Sequence, residues 1–129
     1  NAGFTSGTPW LKVNPDYTSF NAAAQEHDPN SVLNYFRKLI NLRKNNLTLV
    51  YGKYELLDKE NPDVYCYTRK LEKETILVIL NFKVQSAKFK IDTDIDTDID
   101  TVLAHNYPDP PSGNVLRPYE AVVYKLKSE

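Results

Sequence analysis

The acidic residues are the side chains whose spacing first suggests chemistry. Aspartate occupies every second position from Asp92 to Asp100, within a four-residue Ile-Asp-Thr-Asp repeat. Clustered carboxylate oxygens are the ligands that calcium prefers. An EF-hand loop that starts at Asp92 needs glycine at its sixth position and glutamate at its twelfth, where this sequence has Thr97 and Leu103. We therefore expect an exposed acidic edge strand or loop rather than a calcium site.

Histidine and cysteine offer little metal or nucleophilic chemistry in this sequence. The two histidines, His27 and His105, have no cysteine at zinc-ligand spacing. Cys66 is the single cysteine and stands between Tyr65 and Tyr67, a pattern typical of a small buried apolar residue. A nucleophilic cysteine requires a positioned base, which no nearby residue supplies. The sequence thus predicts no metal site, no cofactor and no catalytic residue.

One helix is predicted ahead of the strands. Asp28 suits the N-cap of this helix and Pro29 its first position, where a missing N–H costs nothing. Apolar residues then recur at three- and four-residue spacing, and the helix should end near residues 45–46. This face comprises Val32, Tyr35, Phe36, Leu39, Ile40 and Arg43, and is widened by Leu33 and Leu42. Residues 1–27 show no such period, and we expect an irregular arm there.

After the helix the apolar period changes to two. The predicted strands are rich in Val, Ile, Tyr, Phe and Thr, and they cover residues 49–57, 64–69, 75–82, 87–91, 101–105 and 119–126. Short strands in succession predict an antiparallel Greek-key β-sandwich. The segment 75–82 is apolar on both faces, which indicates a central strand covered on both sides. The segment 107–113 contains three prolines and is predicted to be a loop.

Successive segments of the chain resemble glycoside hydrolase family 13, and within it the α-glucosidase and oligo-1,6-glucosidase enzymes. Residues 1–17, which include GTPWLKVNPDY, resemble a loop late in the catalytic barrel. The segment 28–44 resembles the last barrel helix. Four further segments resemble the β domain that follows the barrel: 50–57, 64–69, 77–82 and 116–124. The resemblance covers nearly the whole chain and is weakest over residues 84–114.

This resemblance implies that residues 1–46 end a catalytic barrel and that residues 47–129 form the C-terminal β-sandwich domain. The parent enzyme would hydrolyse α-1,4- or α-1,6-linked glucosides with retention, through a covalent glycosyl-enzyme. Retention needs two carboxyl groups about 5 to 5.5 Å apart, and the family carries them on earlier barrel strands that are not in this sequence. The implied partner is the rest of that enzyme, through which alone the chain would meet a glucoside. Linkage preference, and the choice among hydrolysis, isomerisation and phosphotrehalose cleavage, would depend on those missing barrel loops.

The remaining acids and the aromatic residues have plainer interpretations. We expect the acids to be solvated surface groups, namely Asp58, Glu60, Asp63, Glu72 and Glu74. Six aromatics are expected to fill the core, namely Tyr54, Tyr65, Tyr67, Phe82, Phe89 and Tyr124. In the loop-forming arm, Phe4, Trp10 and Tyr17 are expected to dock on the barrel or line its active-site rim. Two alternatives stay open: an independent carbohydrate-binding module with exposed aromatics, and a non-enzymatic, transporter-associated relative.

Composition excludes few classes of protein. The net charge of −1 gives no reason to expect a nucleic acid or an anionic membrane as partner. No apolar run approaches the length of about 18 residues that indicates a membrane span, and no signal peptide is visible. The sequence does not distinguish a cytoplasmic from a periplasmic location. It contains no methionine, so we expect a piece cut from a longer protein.

Overall fold

The computed structural model describes residues 1–94 and 97–128, and its contacts divide the chain into two compact units. The first unit is Asn1–Asn41 and the second is Leu42–Glu129. None of the helices formed by the described residues has the length and apolar character that crossing a bilayer requires.

The arm of the first unit contains two short helical segments rather than the irregular chain we expected. A 3-10 helix spans Pro15–Thr18, and α1 spans Ala22–Glu26. Asn14 and Asn21 cap them, since their side-chain oxygens accept backbone N–H groups of Asp16 and Ala24 at 3.0 and 2.8 Å. Segments this short have no apolar period, so the sequence pattern did not indicate them.

The predicted helix, α2, spans Val32–Lys44 and starts later than expected. Ser31 is its cap, because its hydroxyl accepts the backbone N–H of Asn34 at 3.2 Å. The Asp28 carboxylate instead accepts the backbone N–H of Asn30 at 2.9 Å and closes a turn that contains Pro29. The helix end near residue 45 is confirmed.

A further helix, α3, spans Leu47–Tyr51, where the sequence predicted the start of a strand. The side chain of Asn46 caps it by accepting the backbone N–H of Leu49 at 2.9 Å. A five-residue segment with four apolar residues and Thr48 fits a helix or a strand equally well, and the cap decides for the helix. The strand begins only at Lys53, after Gly52.

Five strands form the main sheet. They are β1 (Lys53–Leu57), β2 (Val64–Leu71), β3 (Glu74–Asn81), β5 (Ile99–His105) and β7 (Ala121–Leu126). Their order is β1-β2-β3-β7-β5, every pair is antiparallel, and β3 is central as predicted. Because the chain leaves β3 and returns to pair with it only at β7, the connection is of the Greek-key type.

A second, two-stranded sheet pairs β4 (Ala87–Lys88) with β6 (Val115–Leu116). The predicted strand over 87–91 is thus shorter than expected. The strand predicted from residue 119 begins two residues later, because Tyr119 has a positive φ of 54° and forms part of a turn.

The core lies between the two sheets and confirms the antiparallel β-sandwich. The main sheet contributes the side chains that alternate on one face of β2, β3 and β7, and the small sheet and its flanks cover them. The buried members of this core are Val64, Cys66, Leu77, Ile79, Ala87, Phe89, Leu116, Val122 and Tyr124. We call this side of the main sheet the core face, and the other side the outer face.

Candidate interaction surface

The acids predicted to be solvated surface groups divide into two kinds. Glu60, Asp63 and Glu72 are exposed, as expected. Asp58 and Glu74 are half-buried instead, because each has a structural partner. Asp58 accepts the backbone N–H of Lys90 at 2.9 Å. The Glu74 carboxylate lies 2.9 Å from the ammonium group of Lys125, and hydrogen bonds from Thr48 and Lys125 lower the pKa of Glu74.

Asp92, Asp94 and Asp98 lie outside the helices and strands, and the run ends at Asp100 within edge strand β5. The carboxylate of Asp98 accepts the backbone N–H of Asp94 at 2.8 Å, and the Lys127 ammonium donates to the Thr97 carbonyl at 2.6 Å. The structure therefore favours the exposed loop, although residues 95 and 96 of the run lie outside the described residues. Across residues 1–94 and 97–128, no three His, Cys, Asp or Glu side chains come close enough together to hold a metal ion.

The cysteine is buried in the core, and the two histidines lie in different units of the chain. Cys66 is fully buried on the core face, and burial raises the pKa of its thiol to about 12. A thiol of this kind is unreactive, because the thiolate is the nucleophile. In the second unit, the Nδ1–H of His105 donates to the backbone carbonyl of Tyr107 at 2.6 Å. His27 lies in the first unit at the end of α1.

The outer face of the main sheet carries apolar side chains that do not belong to the core cluster. One row of paired residues crosses all five strands on this face: Leu56, Tyr67, Val78, Val123 and Ala104. A second row pairs Tyr65 with Leu80 and Leu80 with Ala121. A solvent-facing side of an antiparallel sheet ordinarily alternates to polar residues. These two rows are mainly apolar instead, whereas the next row also contains Arg69, Lys125 and Thr101.

Three tyrosines of β1 and β2, Tyr54, Tyr65 and Tyr67, form a tyrosine cluster on this outer face. The Tyr67 ring lies 5.3 Å from that of Tyr54 and 5.2 Å from that of Tyr65, between ring centroids. The hydroxyls of Tyr54 and Tyr65 are 2.9 Å apart. This hydrogen bond is the main cause that raises the pKa of Tyr54 to about 12, and burial raises the pKa of Tyr67.

The prediction that six aromatics fill the core is wrong for four of them, Tyr54, Tyr65, Tyr67 and Phe82. Phe89 and Tyr124 are buried there. Tyr54 and Tyr65 are 44% and 41% exposed, and Phe82 is 66% exposed beyond the end of β3. Successive residues of a strand point to opposite faces, so the burial of Cys66 on the core face puts both of its tyrosine neighbours on the outer face. Their parity with Cys66 was the signal that the sequence analysis did not use.

Helix α3 covers one end of the outer face, against β2 and β3. Thr48 is buried there, and the guanidinium of Arg69 donates to the Val50 carbonyl at 3.1 Å. Gly52 has no room for a Cβ atom, because such an atom would collide with the backbone carbonyl of Thr48. Among the described residues, the buried Arg69 Nε has no hydrogen-bond partner, a cost of about 1 to 3 kcal/mol at this contact. The lack of space at Gly52 and the hydrogen bond from Arg69 show that α3 packs closely against the sheet.

An ion pair between a buried carboxylate and a partly exposed guanidinium, at the turn before β7, was missed by the sequence analysis. Glu120 is fully buried, and its carboxylate accepts from the backbone N–H and the guanidinium of Arg117. The Arg117 guanidinium also stacks 4.1 Å from the ring centre of Tyr107. Tyr107 in turn donates its hydroxyl to the Pro118 carbonyl at 2.8 Å. These contacts fix the turn that returns the chain to β7, so the ion pair has a structural role.

The three arm residues expected to dock on a barrel all lie in the first unit. Phe4 and Trp10 are 88% and 91% exposed, and Tyr17 is 39% exposed within the 3-10 helix.

Two family matches divide the chain next to the contact between α3 and the main sheet. The family described as "Alpha amylase, catalytic domain" matches residues 1–52. The family described as "Maltogenic Amylase, C-terminal domain" matches residues 54–123. The division thus follows α3 and falls at the first residue of β1, Lys53.

Related proteins match along almost the whole chain. Oligo-1,6-glucosidase of Bacillus cereus is 43% identical over 98% of this chain, and trehalose-6-phosphate hydrolase of Bacillus subtilis is 37% identical over 98%. The crystal structure of the trehalulose synthase from Pseudomonas mesoacidophila superimposes with a TM-score of 0.86 at 42% identity, over 98% of this chain. In each case the chain spans 23% of the length of the other protein.

Proposed function

This chain belongs to glycoside hydrolase family 13, as the end of the α-amylase-type catalytic domain followed by the maltogenic amylase-type C-terminal domain, and we propose that it is the non-catalytic C-terminal part of a retaining α-glucosidase. The observation that carries this proposal is the order of the two family matches, which join between α3 and β1. The oligo-1,6-glucosidases among the relatives indicate α-1,4- or α-1,6-linked glucosides as substrates. The function of the chain itself is to support the barrel.

The division of labour follows from the chemistry of retention. A nucleophilic carboxylate and an acid/base carboxyl must flank the glycosidic bond about 5 to 5.5 Å apart. The half-buried acids of the sandwich are already committed, Asp58 to the backbone N–H of Lys90 and Glu74 to the ammonium group of Lys125. We assign the bond-breaking carboxylates to the part of the catalytic domain that precedes this sequence in the relatives.

The arm residues are proposed to contact that same catalytic domain. Phe4, Trp10 and Tyr17 lie in the portion matched by the catalytic-domain family and present aromatic rings to solvent. They either dock on the barrel or form the rim of its active site. A rim residue would change KM for an oligosaccharide when replaced by alanine, whereas a docking residue would change only thermal stability.

A chimera tests the proposed function. The full 129-residue chain replaces the matching segment of an oligo-1,6-glucosidase, and hydrolysis of a chromogenic α-glucoside is measured beside the isolated chain. We expect turnover by the chimera and none by the isolated chain. Turnover that follows the isolated chain through purification would contradict the proposal.

The exposed tyrosine cluster supports a second candidate function, a carbohydrate-binding module. Tyrosine rings in water can stack against the faces of sugar rings, and Tyr54 and Tyr65 offer two of them on one surface. Titration of the isolated chain with maltose or isomaltose distinguishes the candidates. Saturable binding that Tyr65→Ala abolishes would favour the module.

A further inference from the structure

We propose that the carboxylate of Glu74 is an acid-sensitive latch, which holds α3 on the main sheet and, once protonated, lets α3 open while the sandwich stays folded. The inference goes beyond the proposed function, because every group of the latch belongs to this chain and no glucoside or catalytic step is involved. α3 is the last element before the division between the two family matches. The latch thus sets how firmly that junction is held.

α3 has little apolar contact with which to hold itself on the sheet. It is five residues long, and a helix of that length is not stable alone. Two of its large side chains face solvent, since Leu47 is 63% exposed and Tyr51 is 72% exposed. Leu49 and Val50 are half-buried. The position of α3 therefore depends on its polar contacts.

Three donors converge on the Glu74 carboxylate at the N-terminal end of α3. The side chain of Asn46, which caps α3, donates to one carboxylate oxygen at 3.4 Å, and the buried Thr48 donates its hydroxyl. From β7, the Lys125 ammonium lies 2.9 Å from the other carboxylate oxygen. A negative charge also suits this end of a helix, where backbone N–H groups are unpaired. One carboxylate thus ties α3 to β3 and β7.

The opposite end of α3 is held by two guanidinium groups. Arg43 donates to the Leu49 carbonyl, and Arg69 donates to the Val50 carbonyl at 3.1 Å. Arginine keeps its charge at any pH at which proteins are folded. Of these contacts, the one made by Glu74 is therefore the one that acid can release.

The groups that face Glu74 determine the direction of the pH dependence. α3 brings neutral side chains to this contact, β7 brings Lys125, and β2 brings Arg69 on the same face of the sheet, while Asp100 of β5 acts on Lys125. Hydrogen bonds from Thr48 and Lys125 lower the pKa of Glu74 in the folded chain. A lowered pKa stabilises the closed latch above the ordinary pKa of glutamate. This contribution is lost as the pH falls through the lowered pKa.

Amide hydrogen exchange of the full 129-residue chain tests the latch, when it is read by NMR and corrected for the intrinsic rate at each pH. The Gly52 N–H, bonded to the Thr48 carbonyl at 2.9 Å, reports on α3. The Asn81 N–H, bonded to the Glu120 carbonyl at 2.8 Å, reports on the sandwich. Between about pH 6 and about pH 3 we expect the protection of Gly52 to fall by about tenfold, the size of one lost charge-assisted contact. The protection of Asn81 should fall by less than half as much.

A matched pair of substitutions identifies the titrating group. Glu74→Gln keeps the shape of the side chain and removes its charge, and Glu72→Gln makes the same change in the exposed turn between β2 and β3. We expect Glu74→Gln to show weak Gly52 protection at both pH values, and Glu72→Gln to behave like the parent. Thr48→Val removes one donor of the latch at nearly equal volume, and it should weaken the Gly52 protection at about pH 6 even if Glu74→Gln fails to fold.

Three results would overturn the latch. Gly52 protection that is equal at both pH values in the parent would show that acid does not open α3. Equal losses at Gly52 and Asn81 would show that α3 and the sandwich open together. A response to pH in Glu74→Gln as large as that of the parent would assign the titration to another group.

Discussion

The two faces of the main sheet belong to the same strands but differ in how far their side chains are buried. On the core face, Cys66, Ile79 and Val122 are paired across β2, β3 and β7 and are fully buried. On the outer face, Tyr65 and Leu80 occupy the neighbouring positions and remain partly in water. Alternation along a strand creates two apolar faces; on the outer one the central strand β3 is buried at Ile76 and Val78, whereas Tyr54 and Tyr65 towards the β1 edge stay exposed. The difference indicates that the core face is packed within this chain, whereas the outer face leaves aromatic side chains exposed.

The largest predicted effect sharpens this contrast at two consecutive residues of β3. Ile79→Ala should lower the free energy of unfolding of the isolated chain by about 4 kcal/mol, because it removes a fully buried side chain and leaves a cavity. Leu80→Ala, on the outer face, should lower it by about 1 kcal/mol, because the Leu80 side chain is only partly buried and its truncation removes less buried apolar area. Urea unfolding of both variants measures the two values. Equal losses would show that the outer face is packed as fully as the core.

A smaller effect is predicted where α3 meets the outer face. Gly52→Ala should cost about 2 kcal/mol, because the new Cβ atom would collide with the Thr48 carbonyl and force α3 away from the sheet. Gly7→Ala is the matched control, since the Cβ atom there would make only an ordinary contact at 3.7 Å with the Thr5 hydroxyl. Thermal unfolding of both variants gives the comparison. If Gly52→Ala were as stable as the control, α3 would not be fixed on this face.

The smallest predicted effect concerns the ionisation of the tyrosine cluster. Tyr65→Phe removes the hydroxyl that is the main cause of the raised pKa of Tyr54, so the pKa of Tyr54 should fall from about 12 towards its ordinary value. A pKa raised by folding stabilises the folded chain below the ordinary pKa of tyrosine, and this contribution is lost as the pH rises through about 12. The variant should therefore become less sensitive to alkali. Ultraviolet titration of phenolate formation follows the shift, and an unchanged Tyr54 titration would show that the hydrogen bond is not its cause.

The sequence predicted the type of fold but not the residues at which the capped helices α2 and α3 begin. Apolar periods of two and of three to four residues were enough for β3 and α2, whose patterns extend over at least eight residues. The start of α2 was wrong because Asp28 and Ser31 are both good caps, and only the tertiary contacts of Ser31 with Gln25 select between them. α3 was missed because a segment of five residues is too short to show a period.

The candidate surface was less accessible to prediction than the fold. Tyr65 and Tyr67 were correctly placed in a strand, and alternation puts them on one face. Alternation alone does not say which face a second sheet will cover. The predicted burial of Cys66 was the available signal, and the cover itself comes from β4 and β6, two strands of two residues each. The ion pair of Arg117 with the buried Glu120 gave no such signal, since charged residues in a turn are ordinarily exposed.

The most direct test of the account is the chemical accessibility of the outer face with and without the catalytic domain. Hydroxyl-radical footprinting, read by mass spectrometry, compares Tyr54 and Tyr65 in the isolated chain and in the active chimera, with Val115 as the internal reference. We predict that both tyrosines are oxidised readily in the isolated chain and are protected by about tenfold in the chimera, as expected for side chains at the centre of an interface. Val115 should be oxidised equally in both proteins. Tyrosines that react as fast in the active chimera as in the isolated chain would contradict the account.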